Sequence, residues 1–305
     1  MIQQNTEQFP AITSDLFNSF ISYIDASKKT IETYTRALRQ FAKYLFKNEI
    51  KHPVRQDILN YRDELKETRK PSTVQNYITT VRLFFQWTAQ EGLYPNIADH
   101  IKGAKLDRQH KKDYLTSTQV KNILNNMELE TIEDKRNYAM FLLMITGGLR
   151  TIEVSRANIE DLKTVCNNTV LYIQGKGHEE KADYIKLAPQ VENAIRSYLK
   201  ARRTCDITSP LFTSTSNNSK GNRLSTRTIS GIVKKLFKNN GYNSERLTAH
   251  STRHTAVTLA LLGGQDIQSV QQFARHTNVA TTLIYAHNLD KASNKCESVI
   301  ANSIF

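Results

Sequence analysis

The C-terminal part of this 305-residue chain gathers side chains that suit phosphate chemistry. His250 and Arg253 are three residues apart in AHSTRHTAVTLALLGG, so they share one face at the start of a predicted helix. Such a pair at a helix N-terminus favours a phosphate site. His276 and Tyr285 follow in FARHTNVATTLIYAH, and all four residues lie in one stretch of 36. A lone tyrosine with apolar neighbours is usually a core residue. The nearby His250, Arg253 and His276 make Tyr285 a candidate for chemistry.

Two earlier motifs carry further candidates. In TGGLRTIEV (146–154), two glycines break a buried helix and Arg150 opens the next one, where its guanidinium is placed to hold an anion. Glu153 is expected either to orient Arg150 or to cap that helix. In QGKG, the glycines around Lys176 predict an exposed tip from which an ammonium can donate a proton. Lys181 is a nearby competitor for that role.

The elements that must position these residues are of mixed type. The segment 136–145 (RNYAMFLLMI) is apolar nearly all round and predicts a buried helix. TVLYIQ (169–174) and DYIKLA (183–188) are β-like runs around the turn-rich GKGHEEKA, which predicts a hairpin. The polar segment 209–223 predicts a long mobile loop. Further helices are predicted from Thr116 or Ser117 and over 190–203, 225–239, 251–262 and 267–274.

The first half of the chain predicts helices only. Apolar residues recur there at helical spacing, and each run follows a residue that can start a helix. The predicted starts are Thr13 or Ser14, Ser27 or Thr30, residue 54, and Pro71. The aromatic residues on these helices are expected to form a core rather than to stack on bases.

The charge of the chain points to a polyanionic partner. There are 42 Lys and Arg against 29 Asp and Glu, a net charge of +13, and contacts of such residues with phosphates release counterions. Residues 102–112 (KGAKLDRQHKK) are the densest positive segment and predict a linker between a helical domain (1–101) and a mixed domain (113–305). The linker either lies along a DNA backbone or is a solvated tether. Its candidate DNA contacts are Lys102, Lys105, Arg108, Lys111 and Lys112.

Composition argues against several other classes. Cys166, Cys205 and Cys296 form no CxxC or metal-ligand pattern, so reduced thiols are expected. No run approaches the roughly 18 apolar residues of a membrane span, and MIQQNTEQFPAI lacks the pattern of a secretion signal. We therefore expect a cytoplasmic protein with no metal, no cofactor and no membrane partner.

Together, the motifs resemble the tyrosine recombinase (phage integrase) family, which includes Xer proteins and phage or transposon integrases. The strongest matches are TGGLRTIEV, QGKG, AHSTRHTAVTLALLGG and RHTNVATTLIYAH. TIETYTRALRQFAKYL and PSTVQNYITTVRLFFQW resemble the family's helical, SAM-like core-binding domain. The resemblance covers most of the chain. It implies a mainly α fold, with a core-binding domain followed by a mostly helical catalytic domain that contains a small antiparallel β-sheet.

The resemblance also implies an enzyme that cuts one DNA strand at a time. Tyr285 attacks the scissile phosphate and leaves a 3′-phosphotyrosine link and a free 5′-hydroxyl, which requires neither ATP nor a metal. The transition state gathers negative charge, and Arg150 and Arg253 bind its oxygens in a fork. His276 donates a further hydrogen bond.

The remaining matched residues have supporting roles in this scheme. Lys176 is the implied general acid for the 5′-oxygen, His250 assists proton transfer from the nucleophile, and Glu153 supports the site. The chain departs from the family in two places. Ala274-Arg275 stands where relatives usually have Leu-Gly, and it is interpreted as a change outside the reacting set that adds a phosphate contact or shifts a tetramer contact. Asp183 stands where a basic residue is common.

The implied partners are duplex DNA with inverted-repeat core sites and three further copies of the chain, which form a homotetramer on two paired sites and exchange strands through a Holliday junction on nucleoid DNA. An accessory DNA-bending or directionality protein is a further candidate partner. The biological setting stays open between integration or excision of a mobile element and resolution of DNA dimers. The tail residues Val299, Ile300, Ile304 and Phe305 are expected to dock either on a neighbouring subunit or on their own domain.

Two other functions compete with recombination. A type IB topoisomerase uses a similar set of residues, but His250 in H-x-x-R and the N-terminal helical domain argue against it. A catalytically silent DNA-binding accessory protein is the other alternative, and the intact set of six candidate residues argues against that.

Overall fold

Two separate units make up the chain in the computed structural model, and the division falls between Arg108 and Gln109. The structure describes residues 9–105, 113–175, 180–203, 206–293 and 296–304, and only the backbone is described for 287–293, 296–298 and 301. Both units are mainly helical, and the second contains a small antiparallel sheet. The predicted fold class is thus confirmed.

The N-terminal unit contains four long helices whose starts follow local capping chemistry. The Thr13 and Ser27 hydroxyls accept hydrogen bonds from the backbone N–H groups of the first turns of α1 and α2. Asp57 reaches back to the backbone N–H of Val54 at the start of α3, and Pro71 is the first residue of α4. The helices are α1 (Ser14–Tyr23), α2 (Lys28–Lys47), α3 (Arg55–Thr68) and α4 (Pro71–Gln90).

Aromatic rings fill the core of this unit, as predicted. The centroid of the Phe84 ring lies 4.8 Å from that of Phe17, 5.1 Å from Phe85, 5.6 Å from Phe20 and 6.2 Å from Trp87. Such ring pairs add roughly 0.5–1.5 kcal/mol each beyond the burial of their area. The unit is therefore stabilised mainly by apolar contacts between helices.

The second unit is built around α6, which lies against α8 and α10. Every side chain of α6 from Ala139 to Ile145 is buried, so this part of the helix has apolar residues on all sides. Nine helices of this unit lie in the described residues: α5 (Ser117–Asn125), α6 (Ile132–Gly147), α7 (Thr151–Arg156), α8 (Pro189–Arg202), α9 (Thr226–Asn239), α10 (Ala249–Leu262), α11 (Ile267–Ala274), α12 (Val279–Ser293) and α13 (Cys296–Ile304).

The sheet has three antiparallel strands in the order β1 (Leu162–Val165), β2 (Asn168–Ile173) and β3 (Asp183–Lys186). The predicted hairpin is the β2–β3 pair, in which Leu171 faces Ile185. Strand β1 was not predicted. It joins β2 through Cys166 and Asn167, both with positive φ, a two-residue turn that differs from the usual Asn-Gly signal.

The segment 209–223 is held to the unit more firmly than its polar sequence indicates. Leu211 and Phe212 are buried, and Thr213 pairs with Arg223 in an isolated bridge. The Arg202 guanidinium donates to the backbone of Pro210 at 2.6 Å. Leu211 and Phe212 therefore anchor the start of this segment in the core, and its mobility stays a prediction.

Candidate active site

Arg150 lies at the end of a sharp turn between α6 and α7. Gly148 caps α6 in the left-handed conformation, with φ of 58°. A Cβ atom on Gly148 would lie 3.1 Å from the ring of Phe273, so the turn needs glycine for both its backbone angle and its close packing. Arg150 is then the N-cap of α7, and its side chain is partly exposed. This agrees with the sequence-based position.

Glu153 is fully buried and does two things at once. One carboxylate oxygen accepts the backbone N–H of Arg150 and the other accepts its guanidinium, each at 2.8 Å. It therefore caps α7 and also orients Arg150. Burial by itself raises the pKa of Glu153, but the charge of Arg275 and the hydrogen bonds from Arg150 outweigh it, so the pKa lies below its usual value.

Arg253 is buried inside α10, with 4% of its surface exposed. Its guanidinium donates to the carbonyl of Gly148 at 2.7 Å and also to the carbonyl of Ala274. It thereby ties the turn before Arg150 to the end of α11. Burial, together with the nearby charges of Arg150 and Arg275, lowers the pKa of Arg253 to about 10, so the guanidinium is still charged at neutral pH.

Arg275 also belongs to the charged cluster of Arg150, Glu153 and Arg253, a position that was not predicted from the sequence. Its guanidinium lies 3.2 Å from the Glu153 carboxylate and donates to the carbonyls of Phe273 at 2.8 Å and of Gly148 at 3.3 Å. The sequence interpretation placed Ala274-Arg275 outside the reacting set, as a phosphate or tetramer contact, and did not foresee the ion pair with Glu153. An arginine in place of a small residue beside an expected anion site was the available signal.

His276 follows directly after Arg275 and lies beside Thr282 of α12. Its Nδ1 atom is 2.9 Å from the buried Thr282 hydroxyl. Burial and then the charges of Arg253, Arg150 and Arg275 lower the pKa of His276 to about 4. The imidazole is therefore neutral at physiological pH, and one ring nitrogen carries a proton.

Tyr285 lies on α12 between two histidine rings and is 8% exposed. Its ring centroid is 6.2 Å from that of His276, with the planes 19° apart, and 5.1 Å from that of His254. Burial raises the pKa of Tyr285 to about 12, although the charges of Arg253 and Arg150 act in the opposite direction. The hydroxyl is therefore protonated at neutral pH.

The structure describes the other two predicted catalytic residues only in part. His250 is exposed in the first turn of α10, whereas Lys176 lies outside the described residues. Its competitor, Lys181, forms a 2.6 Å ion pair with the buried Asp161. Arg156 donates to the carbonyl of Gly175 at 3.2 Å. The described residues on both sides of Lys176 are thus anchored to the body of the unit.

A pocket of about 390 Å³ opens beside Arg150 and Glu153. Gly175 and Asp183 of the hairpin and Thr277 after α11 contribute to its walls. In the part of the chain that the structure describes, no group of three or more His, Cys, Asp or Glu side chains is arranged to hold a metal ion. None of the described helices is long and apolar enough to span a membrane.

The basic linker is only partly described. Lys102 and Lys105 are exposed, and the carbonyl of Lys102 accepts a hydrogen bond from Arg62 at 3.4 Å. The other three candidate DNA contacts, Arg108, Lys111 and Lys112, lie outside the described residues.

Sequence models of two domains match the chain. The phage integrase family matches residues 113–292, and the N-terminal SAM-like domain of phage integrases matches residues 15–92. The chain therefore belongs to the phage integrase family, and it is a site-specific recombinase enzyme of the tyrosine type.

Curated relatives are similar in sequence over most of their length. Tyrosine recombinase XerC of Caldanaerobacter subterraneus subsp. tengcongensis is 27% identical, with 94% of this chain and 87% of the relative covered. Tyrosine recombinase XerA of Pyrococcus horikoshii is 29% identical, with 92% and 91% covered.

Solved structures show the same fold at lower identity. The XerH recombinase in a post-cleavage complex with a palindromic difH substrate has a TM-score of 0.74 at 20% identity and covers 93% of this chain and 84% of its own. The Tn1549 transposon integrase in complex with transposon right end DNA has a TM-score of 0.70 at 19% identity, with 89% and 93% covered.

Proposed function

We propose that this enzyme cuts and rejoins duplex DNA through a covalent link between Tyr285 and a 3′-phosphate. The observation that carries the proposal is the surroundings of Tyr285. Its ring lies beside His276, and the charges of Arg253 and Arg150 are close enough to oppose the rise in the pKa of its hydroxyl that burial causes. A nucleophile next to two permanent cations and a neutral histidine suits attack on a phosphodiester.

In the cleavage step, the Tyr285 oxygen forms a bond to phosphorus and the bond from phosphorus to the 5′-oxygen breaks. Negative charge grows on the non-bridging oxygens, where the guanidinium groups of Arg150 and Arg253 stabilise it. Arg253 needs no reorganisation during the reaction because two backbone carbonyls already fix it. Glu153 holds Arg150 through its carboxylate.

Proton transfers complete the step. With the Thr282 hydroxyl donating to Nδ1, the neutral His276 ring carries its proton on Nε2 and can donate it to a phosphate oxygen. The tyrosine proton leaves with the help of His250, and Lys176 protonates the departing 5′-oxygen. The ion pair with Asp161 engages Lys181, which favours Lys176 for this role.

The rejoining step reverses this chemistry with a partner strand. A 5′-hydroxyl attacks the phosphotyrosine, the new phosphodiester forms and Tyr285 is released, so the link itself conserves the bond energy. We propose that four copies of the chain act on two paired inverted-repeat sites and exchange strands through a Holliday junction. The relatives bound to difH and to transposon end DNA support a duplex substrate. The place of action is then nucleoid DNA in the cytoplasm.

The test requires no known target site. The protein is incubated with sheared DNA of the source genome and denatured, and DNA that stays covalently attached is sequenced. Tyr285→Phe serves as the inactive variant, and Tyr184→Phe, which removes a hydroxyl from the exposed face of β3, is the matched control. We expect attachment at one or a few inverted repeats for the wild type and for Tyr184→Phe, and none for Tyr285→Phe.

Each other outcome contradicts part of the proposal. Attachment scattered over many sites would indicate a topoisomerase, and absence of attachment in the wild type would indicate a DNA-binding protein without this chemistry. The captured site also identifies the setting. Sites at the two ends of a mobile element indicate integration and excision, whereas a single chromosomal or plasmid site indicates resolution of dimers.

A further inference from the structure

The end of α11 has a backbone that places Arg275 and His276 together. Arg275 has a φ of 53°, its N–H donates to the carbonyl of Gln272, and the N–H of His276 donates to the carbonyl of Gln271. These bonds form a Schellman motif, which usually has glycine at the left-handed position. An arginine there costs roughly 1 kcal/mol relative to glycine.

The side-chain contacts of Arg275 are all within the protein. Both terminal nitrogens of its guanidinium bond to backbone carbonyls or to Glu153. Its Nε atom is buried and has no hydrogen-bond partner among the described residues. Only 12% of the side chain is exposed. Three of its five N–H groups thus tie the Glu153 carboxylate to the backbone of Phe273 and Gly148.

We propose that Arg275 is a positioning residue, whose guanidinium fixes the Glu153 carboxylate to the backbone of Phe273 and Gly148 so that Glu153 can orient Arg150. The proposal rests on the proposed function for what Arg150 and His276 do. It replaces both sequence-based interpretations of Arg275, as a phosphate contact and as a tetramer contact.

The charges around Glu153 support this role. Arg150 faces it from the start of α7, Arg253 from α10, and Arg275 from the end of α11. Asp183 of β3 acts on Arg275 from the other side, and His276 is the further titrating group nearby. The charge of Arg275 is the largest single cause that lowers the pKa of Glu153, and Arg150 adds two hydrogen bonds and its own charge. Without Arg275 the pKa of Glu153 would be higher, and the carboxyl would protonate at higher pH.

The first experiment compares Arg275→Met with Arg203→Met. Arg203 is an exposed arginine that ends α8 in the same left-handed conformation, with φ of 56°. Methionine at either position therefore has the same unfavourable backbone conformation. Cleavage is measured in a single turnover on the site captured above. We expect a loss of roughly tenfold for Arg275→Met and no change for Arg203→Met. Arg275→Gly, which relieves the backbone, is the second variant if Arg275→Met folds poorly.

The second measurement is the pH profile of cleavage, which a purely structural defect would not move. The acid limb should shift to higher pH in Arg275→Met, and Arg275→Lys should restore it in part because the charge returns. In a Glu153→Gln background most of the shift caused by Arg275→Met should disappear. The small remainder belongs to His276, on whose pKa Arg275 has the smallest of the named effects.

The outcomes separate this inference from the proposed function. If the wild type forms no covalent DNA, the proposed function fails, and the link between Arg275 and Glu153 is still tested by thermal unfolding. The melting temperature lost in Arg275→Met should then be greatest near neutral pH and shrink on acidification, as Glu153 becomes protonated in either protein. If the wild type cleaves and Arg275→Met has the same rate and the same acid limb, the inference is overturned. Additive effects of Arg275→Met and Glu153→Gln would also overturn it.

Discussion

In the N-terminal unit, burial brings together rings such as Phe17, Phe84 and Trp87, whose contacts are almost entirely apolar. Around Arg253 in the second unit, burial instead brings together three arginines and one carboxylate, beside a small apolar cluster that includes Val257 and Val270. Burial of apolar rings is favourable by itself. Burial of like charges is unfavourable and persists only where hydrogen bonds hold each group.

The difference shows where stability and chemistry lie in this molecule. Loss of volume in the aromatic core is costly, but its apolar contacts do not depend on hydrogen-bond geometry. The charged cluster depends on orientation at every member, because Gly148, Ala274 and Glu153 supply the acceptors that the arginines need. Substitutions in the two regions should therefore alter different measured quantities.

The largest effect on stability is expected for Phe84→Ala. Removal of a fully buried ring that contacts four others should lower the free energy of unfolding of the N-terminal unit by about 3–5 kcal/mol. Trp87 is the single tryptophan of the chain and lies in this core, so its fluorescence during denaturant unfolding reports that unit. Phe46→Ala, at a ring that is 89% exposed, is the control. Equal losses in the free energy of unfolding for the two variants would contradict the view that apolar burial stabilises this unit.

Arg253→Lys should have the largest effect on chemistry. The charge is kept, but a single ammonium cannot reproduce the fork that binds Gly148, Ala274 and a phosphate. We expect cleavage to fall by about 10²–10³-fold, the range seen for the loss of one transition-state donor. Arg196→Lys, in an exposed pair with Glu192, should leave the rate unchanged. A loss below threefold for Arg253→Lys would show that charge alone is sufficient.

The pH dependence of stability provides a smaller test. The pKa of His276 is lowered to about 4 in the folded protein, whereas an unfolded histidine titrates near 6.5. Between these values the unfolded state binds more protons, so stability falls as the pH drops from about 6.5 to 4. His276→Gln should remove on the order of 1–2 kcal/mol of this fall, an estimate reduced for the partly exposed ring. Urea unfolding of both proteins at pH 7 and pH 4.5 measures it, and an unchanged difference would contradict a neutral, buried His276.

The smallest effect is expected for Thr282→Val. Valine keeps the shape of the side chain but removes the hydroxyl beside Nδ1 of His276. We expect the free-energy barrier to cleavage to rise by about 1 kcal/mol, which makes cleavage several-fold slower. Thr281→Val, at the exposed neighbouring position, is the matched control. Equal rates for the two variants would show that the hydroxyl does not set the histidine tautomer.

The comparison also explains what the sequence could predict. The helix starts at Thr13, Ser27 and Pro71 are each encoded within a few residues. The same holds for the Gly-Gly break before Arg150 and for the glutamate that follows it. These features need no knowledge of distant parts of the chain. The aromatic core followed from helical spacing for the same reason.

The features that were missed depend on contacts between distant segments or on unusual turns. Arg275 reaches Glu153 across 122 positions, and no local pattern encodes that contact. The ring of His254 on α10 packs on Tyr285 of α12, a contact between two helices that no local pattern encodes. Strand β1 needed recognition of Cys166 as a left-handed turn residue. Leu211 and Phe212 are too short a run to mark a buried segment.

The anchors on both sides of the β2–β3 hairpin tip have a consequence for chain length. The Arg156 contact with Gly175 and the Asp161–Lys181 ion pair fix the residues from which the segment carrying Lys176 departs and to which it returns. The entropy of closing a loop grows only with the logarithm of its length, by about 0.6 kcal/mol for each doubling. One or two glycines added at this tip would hardly change folding, yet they would alter how far the lysine reaches. In the proposed mechanism, where Lys176 is the general acid, the length of this segment would thus adjust proton delivery independently of stability.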